Sequence, residues 1–331
     1  MVIMELALTM SLMCVLWKYN KPFSLFLGMA TLSMFYPHYG PMSLDAHRMI
    51  FIGLLWYFFL VHFEIDSGHL LDALCYGALI NLAVQYLQVL QPVLKFEFWL
   101  GCPVPVGLMA NPNETSALYV FCFPAFIRFG WKWGAPLIIS GLILSNSHMG
   151  IACVSIGFVI WLLSRHNAYY TAISILLFAG LSVWIIFYPP QTLAMRAAVW
   201  GVTYQILKQH WFMGAGIGHW KVLFKGPMPI DGSKWVTAHN EYYQVWAEMG
   251  VIPLTLIILY FSWLIRLFVG CRKSQEWNGN RYVFISIGMI AINATGNFCF
   301  HIAPLAMIAL TWMAILEANL NAAKQKTCIR F

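Results

Sequence analysis

Arg196 opens the longest polar interval of the sequence, which runs from residue 196 to Gly250. Arg196, Trp200 and Tyr204 are spaced four residues apart, so they share one face of a short helix. A guanidinium offers a planar fork of donors that suits phosphate oxygens. The same spacing also fits an Arg that extends to the membrane surface beside an aromatic belt. Both interpretations stay open on these residues alone.

A histidine stands where the chain returns from this interval to an apolar segment. Thr237 is a suitable N-cap, which would place His239 and Asn240 in the first turn of a helix, with Tyr243 on the same face. Unpaired N–H groups and the positive end of the helix dipole favour an anion there. A single His is more often structural than functional. Its position at the end of the largest loop makes His239 a candidate functional residue.

Two further features lie in the same interval. The segment Gly214-Ala215-Gly216-Ile217-Gly218 follows no predicted strand, so it is not a dinucleotide fingerprint; a tight turn with close backbone approach and a plain loop both remain open. Glu248 falls inside the next apolar segment, which predicts a hydrogen-bonded structural role in preference to a proton-handling one. Pro253 predicts a kink in that segment.

Two shorter polar motifs interrupt the first half of the chain. In residues 111–114, Asn113 is a suitable N-cap with Glu114 in the first turn of the following helix. In residues 145–148, Ser147 and His148 form a sharp turn between two apolar runs. Either motif could be turn chemistry alone.

Composition identifies the setting of these residues. Of the 331 residues, 61% are hydrophobic and 9% are charged, against about 25% charged in an average soluble domain. The sequence therefore predicts a polytopic membrane protein, with residues 1–331 forming one integral-membrane domain. The net charge of +7 is explained by cytoplasmic loops, and the absence of a basic run with interleaved aromatics argues against nucleic-acid binding. The eight cysteines have no metal-ligand spacing, so we predict free thiols and neither metal nor cofactor.

The apolar runs predict an all-α bundle of about eleven spans (10–12), each of about twenty residues. The candidate spans are residues 1–17, 22–36, 48–63, 70–90, 115–130, 133–146, 149–163, 168–188, 239–269, 281–298 and 300–318. Lys and Arg concentrate in alternate loops when the N-terminus is placed outside. This orientation puts residues 111–114, residues 145–148 and a large loop at 189–238 on the outer side. We expect the three segments to line one externally facing cavity.

The order of these motifs resembles the O-antigen ligase and O-antigen polymerase superfamily of bacterial membrane glycosyltransferases. The resemblance covers about residues 105–255. Its motifs are Asn111-Pro112-Asn113, the Ser-x-Ser turn at 145–148, Arg196 with Trp200, His210 before the glycine segment, and His239-Asn240 through Glu248-Met249-Gly250. Each motif is weak alone, and their common order and side make the match specific.

The resemblance implies a GT-C-like helical fold in the bacterial inner membrane, with its site facing the periplasm. It implies transfer of a glycan from undecaprenyl diphosphate to a hydroxyl of a glycan or of lipid A core, without a metal and with anomeric inversion. By this analogy His239 is the base and Arg196 holds the diphosphate. The remaining candidate substrate-binding residues are Asn240, His148, Trp200, Tyr243, Lys208, Asn111, Glu114, Ser147 and Glu248.

The chain departs from the family pattern at one position. The family often has an Arg after the Ser of the short outer turn, where this chain has His148. Either His148 contacts phosphate as an imidazolium, or a loop lysine takes that task; the candidates are Lys208, Lys221, Lys225 and Lys234. Polymerase and ligase activities are both compatible with the sequence, and other polysaccharide-assembly membrane proteins are expected as partners.

Two other classes of protein compete with this interpretation. A transporter or exporter of an amphipathic or lipid-linked solute would have inverted repeats and interrupted helices, and only Glu248 with Pro253 suggests one. A haem protein would need paired ligands such as His62 and His301, but no haem or zinc motif is present.

Overall fold

The computed structural model describes residues 2–35, 40–63, 66–94, 104–109, 111–128, 134–163, 191–226, 235–271 and 277–328, and isolated positions between 169 and 180. All regular structure in these ranges is helical. The helices are α1 Val2–Tyr19, α2 Lys21–Met34, α3 Pro41–His62, α4 Ser67–Leu94, α5 Pro112–Arg128, α6 Gly134–Leu144, α7 His148–Leu163, α8 Gln191–His210, α9 Trp220–Leu223, α10 Glu241–Met249, α11 Val251–Cys271, α12 Trp277–Asn293 and α13 Ala303–Cys328, with a 3₁₀ turn at Cys299–His301.

Four of the described helices are long and apolar enough to cross a membrane: Pro41–His62, Ser67–Gln91, Val251–Val269 and Ala303–Leu320. A helix rises 1.5 Å per residue, so about twenty residues span the hydrocarbon core. Gly134–Leu144 and His148–Leu162 are shorter apolar helices. The all-α class is confirmed for the described residues, and four of their helices have the length and composition that a membrane span requires. The count of about eleven spans and the GT-C-like arrangement stay predictions.

The chain divides into two compact units. The first comprises Met1–Phe59, Pro190–Gly270 and Ala294–Ala303. In it α1 packs on α2, and α10 packs on α8, α2 and α9. Its core contains Val199, Trp220, Ala238 and Ala247, all buried. The loop before α10 is therefore fixed to a well-packed interior through Ala238.

The second unit comprises Leu60–Pro189, Cys271–Asn293 and Pro304–Phe331. Here α5 packs against α4, α6, α7 and α12. Buried polar groups pair within the unit: Asn81 Nδ2 donates to Tyr119 Oη at 2.9 Å, and Tyr119 Oη donates to Gln85 Oε1 at 2.8 Å. Paired groups of this kind remove the cost of burying amides and hydroxyls in an apolar bundle.

The predicted span at 239–269 is wrong, because two helices occupy it. Gly250 ends α10 with φ of 87°, and its N–H still closes the last turn on the Trp246 carbonyl at 2.9 Å. The next N–H, of Val251, donates to the Phe212 carbonyl at 3.2 Å. Pro253 therefore lies in the first turn of α11, where a proline is tolerated and causes no kink.

Gly250 gives a first testable prediction. A Cβ at this position would collide with the Phe212 carbonyl oxygen, and the positive φ disfavours any L side chain. We expect Gly250→Ala to destabilise the protein by about 2–4 kcal/mol, measured by thermal unfolding in detergent. Gly201→Ala is the matched control, because Gly201 is exposed within α8 with no neighbour in the way of a Cβ. An Ala there should be neutral or stabilising by up to about 1 kcal/mol, and equal losses in the two variants would contradict the account.

The predicted loop at 189–238 contains the twenty-residue helix α8 and the short helix α9. The sequence indicated only a short helix around Arg196. Helix α8 packs against α10. In the described part of this segment, Arg196 is therefore carried by a helix that is packed against α10.

Candidate functional site

Arg196 is half-buried in α8 and reaches the loop after α12. Its Nη2 lies 3.5 Å from Asn297 Oδ1, a long hydrogen bond. One turn further along, Trp200 Nε1 donates to the Ala238 carbonyl at 3.0 Å. The same helix face thus contacts both the 294–301 loop and the 235–240 loop. Burial lowers the pKa of Arg196, although a guanidinium remains cationic at neutral pH.

The start of helix α10 differs from the prediction. Asn240, not Thr237, is the N-cap: its backbone is extended and its Oδ1 accepts from Tyr243 N–H at 3.1 Å. Asn is as good a cap as Thr and lies immediately before the apolar face. His239 therefore precedes the helix instead of lying in its first turn. The N–H groups of Glu241 and Tyr243 are already paired, to Ala294 O and Asn240 Oδ1.

His239 has an unusual backbone and an unusual side-chain environment. Its φ is 49°, in the left-handed region that costs a non-glycine residue about 1–3 kcal/mol. Its ring lies edge-on between Trp235 and Phe298, with centroid distances of 4.8 and 4.7 Å. Its Nδ1 is buried and has no hydrogen-bond partner among the described residues. Strain, aromatic clamping and an unpaired buried nitrogen together are typical of a functional side chain.

The charge state of His239 follows from its neighbours. Burial and, second to it, the positive charge of Arg196 lower the pKa of His239 to about 4. The imidazole is therefore neutral at pH 7 and can accept a proton. The effect of Arg196 on this pKa, together with the contacts of the two residues with the adjacent positions Asn297 and Phe298, shows that Arg196 and His239 approach the same loop.

Helix α10 carries a buried polar face formed by Glu241, Gln244 and Glu248. Gln244 Oε1 accepts from Ala238 N–H at 2.7 Å, and its Nε2 donates to Glu248 Oε1 at 2.8 Å. The Trp220 N–H donates to the same Glu248 oxygen at 3.1 Å. Glu248 thereby joins α10 to the start of α9, which is the arrangement a structural role requires. Burial raises the pKa of Glu248, against the opposing effects of His301 and these donors.

The glycine segment is a close-approach turn. Gly214, Gly216 and Gly218 all have positive φ, at 75°, 96° and 77°. The Gly216 N–H donates to the Glu248 carbonyl at 2.9 Å, and a Cβ on Gly214 would collide with the backbone of Glu248. This geometry explains why glycines recur at every second position, and it favours the tight turn over the plain loop.

An ion pair that the sequence did not indicate lies beside His239. Glu241 is buried, and its Oε2 lies 3.0 Å from His301 Nδ1. The Phe300 N–H also donates to Glu241 Oε1 at 2.6 Å. Burial acts to lower the pKa of His301, but the carboxylates of Glu241 and Glu248 outweigh it and raise that pKa to about 9. His301 is therefore cationic at pH 7, when His239 is neutral.

The Glu241–His301 pair predicts a pH dependence of stability. The folded-state pKa of His301 is raised above its ordinary 6.5, so the stabilisation is complete below pH 6.5 and is lost as pH rises through about 9. The imidazole is 37% exposed, so we expect a loss of only about 1 kcal/mol after solvent screening. The measurement is the unfolding temperature between pH 6 and 10. In Glu241→Gln this decline should disappear, and an identical profile in both proteins would refute the assignment.

The predicted site residues of the first half belong to the second unit. Helix α5 begins at Pro112, so the prediction of Asn113 as N-cap is wrong. Asn111 occupies that position, and its Oδ1 accepts from Asn113 N–H at 2.8 Å, because Pro is favoured directly after a cap. Burial raises the pKa of the half-buried Glu114 to about 7.

Ser147 and His148 also belong to the second unit. Ser147 Oγ accepts from Ser116 Oγ at 2.9 Å and lies 3.2 Å from Asn113 Oδ1. His148 is the first residue of α7. These hydrogen bonds join the two short polar motifs to each other. That these motifs share a cavity with Arg196 and His239 stays a prediction.

The remaining predicted residues lie around α8. The Tyr243 ring is 6.4 Å from Trp200 in an edge-on contact. Lys208 is exposed, with Nζ 4.8 Å from the Tyr204 ring. Lys221 and Lys225 are exposed as well, and Lys234 lies outside the described residues. Lys208, Lys221 and Lys225 form no hydrogen bond with a described residue, whereas Arg196 does.

The described residues form helices, four of them long and apolar enough to cross a membrane. They bring an Arg and a strained His to one loop. Residues 133–259 match the family model of the O-antigen ligase domain (Wzy_C). This match makes residues 133–259 similar to the O-antigen ligase family, which suggests a membrane glycan-transfer enzyme. No curated protein matches the chain. The matched segment contains α8 to α10, and so includes both Arg196 and His239.

Proposed function

We propose that the protein transfers a glycan from undecaprenyl diphosphate to a hydroxyl of a second glycan or of lipid A core, at the periplasmic face of the bacterial inner membrane. The family match supports the reaction class. The observation that carries the assignment of residues is the approach of Arg196 and His239 to the loop at Asn297 and Phe298.

Arg196 is suited to binding the diphosphate of the glycan donor. Its guanidinium is half-buried, and among the described residues it makes only a long hydrogen bond, with Asn297 at 3.5 Å. A desolvated guanidinium forms stronger, bidentate hydrogen bonds with phosphate than an exposed one does. Arg196 would therefore offset the charge that accumulates on the diphosphate as it departs.

His239 is suited to act as a base on the hydroxyl of the glycan acceptor. It is neutral at pH 7, and its ring is held between two aromatic side chains. As the acceptor oxygen bonds to the anomeric carbon, the imidazole takes the hydroxyl proton, and the bond from that carbon to the diphosphate oxygen breaks. Undecaprenyl diphosphate leaves with the bonding electron pair. The bound anion would also raise the pKa of His239 toward the range of an effective base.

The test is direct transfer by the purified protein in lipid nanodiscs. The substrate is an undecaprenyl-diphosphate-linked repeat unit, and the readout is released undecaprenyl diphosphate together with a longer or ligated glycan. A second lipid-linked unit as acceptor reports polymerase activity, and lipid A core reports ligase activity. Movement of the intact lipid-linked glycan across a proteoliposome membrane, with no bond broken, would instead support the transporter alternative.

A further inference from the structure

We propose that His301 is a second substrate-contacting side chain of this site, held by Glu241 so that its Nε2–H donates to a phosphoryl oxygen of the lipid-linked diphosphate. This inference rests on the proposed function. It assigns to His301 the cationic task for which the sequence suggested His148 or a loop lysine.

The first argument is location. His301 ends the same short loop that carries Asn297, bonded to Arg196, and Phe298, packed on His239. Its partner Glu241 is two residues beyond His239 and begins α10. The ion pair is therefore tied to the candidate base twice, through the backbone from His239 to Glu241 and through the ring contact between His239 and Phe298, three residues before His301.

The second argument is orientation. Glu241 is buried, and its carboxylate accepts hydrogen bonds from His301 Nδ1, at 3.0 Å, and from the Phe300 N–H, at 2.6 Å. This fixes the imidazole by one nitrogen, as a carboxylate orients a catalytic histidine in hydrolases. The other nitrogen, Nε2, forms no hydrogen bond with any described residue, and the side chain is 37% exposed. A positioned, unused donor on an exposed edge is what an anionic ligand requires.

The third argument is the division of charge between the two histidines. Burial and Arg196 keep His239 neutral, whereas Glu241 and Glu248 favour the imidazolium of His301. The pKa of one histidine is lowered and that of the other is raised. Such a difference within one site indicates that one imidazole accepts a proton and the other donates one. His301 is then the donor of a charge-assisted hydrogen bond, and Glu241 is a positioning residue.

The experiment measures binding of undecaprenyl diphosphate to the full-length protein in nanodiscs at pH 7. His301→Gln is the main variant, because its amide can still donate to Glu241 and leaves no buried carboxylate unpaired. We expect affinity to fall about tenfold or more, since one charge-assisted hydrogen bond is removed. His301→Arg should recover part of the loss. An exposed lysine variant away from this loop, Lys18→Gln in α1, should bind as the wild type does.

The outcomes separate this inference from the proposed function. If the wild type binds undecaprenyl diphosphate and Arg196→Gln weakens binding, but His301→Gln binds normally, only the role of His301 is refuted. If the wild type does not bind the lipid, the proposed function fails as well. If His301→Gln has lost affinity but also unfolds at a lower temperature than Glu241→Gln, and His301→Arg recovers nothing, the role is structural and the inference is overturned.

Discussion

Replacing His239 with Asn should reduce glycan transfer by about 10²–10⁴-fold, the range that a lost general base usually costs. Asn is the informative substitution because it tolerates the left-handed backbone that His239 adopts, with φ of 49°. It also cannot accept a proton at neutral pH. The measurement is kcat for release of undecaprenyl diphosphate, supported by complementation of surface polysaccharide in cells.

The unfolding temperature of His239→Asn distinguishes loss of the catalytic base from misfolding of the variant. His239 is strained and leaves a buried nitrogen unpaired, so His239→Asn should unfold at the same temperature as the wild type or a higher one. Loss of activity with retained stability is the pattern expected where strain serves function. Normal polymer made by His239→Asn or His239→Ala would end the claim that His239 is the base.

Replacing Arg196 with Gln should lower kcat/KM by about 10²–10³-fold, as expected when a preorganised positive donor to a developing anion is removed. Gln keeps a polar hydrogen-bond donor but is shorter than Arg and has no charge. Because the charge of Arg196 contributes to the lowered pKa of His239, the variant should also show a higher pKa for that imidazole. A transfer assay and a pH titration of His239 by NMR measure the two effects.

Arg196→Lys is the matched control for charge. It keeps the positive charge but loses the planar fork, so it should recover the low pKa of His239 while recovering only part of the activity. Lys18→Gln is the control for a nonspecific charge effect, because Lys18 is exposed at the end of α1 and has no assigned role. If Lys18→Gln and Arg196→Gln lost activity equally, the specific role of Arg196 would be contradicted.

The sequence predicted the residue types of the site better than their local geometry. Composition alone established the membrane helices, because so low a charged fraction leaves few other folds. The spacing of Arg196 and Trp200 correctly predicted one helix face, since helical periodicity is local. The N-cap at Asn240 was missed because Thr237 and Asn240 are both good caps. Only packing against Ala294 and Phe298 selects between them.

The Glu241–His301 pair was missed for a different reason. The two residues are sixty positions apart, and nothing in a single sequence signals that they meet. A local signal did exist in Glu241, Gln244 and Glu248, whose spacing places three polar groups on one face of α10. Such a stripe, once assigned to the interior, requires partners elsewhere in the chain. The break at Gly250 was missed because an apolar run continues through it.

The central claim is that Arg196 and His239 act in one site, Arg196 on the diphosphate and His239 on the acceptor hydroxyl beside it. The most direct test is the pKa of His239, measured by NMR in nanodiscs with and without undecaprenyl diphosphate. Without the lipid the pKa should lie near 4, and on binding it should rise by about one pH unit or more, because the anion offsets the charge of Arg196. In Arg196→Gln the pKa of His239 without lipid should already be higher than in the wild type, because the positive charge is gone. Saturated binding with an unchanged pKa of His239 would contradict the account.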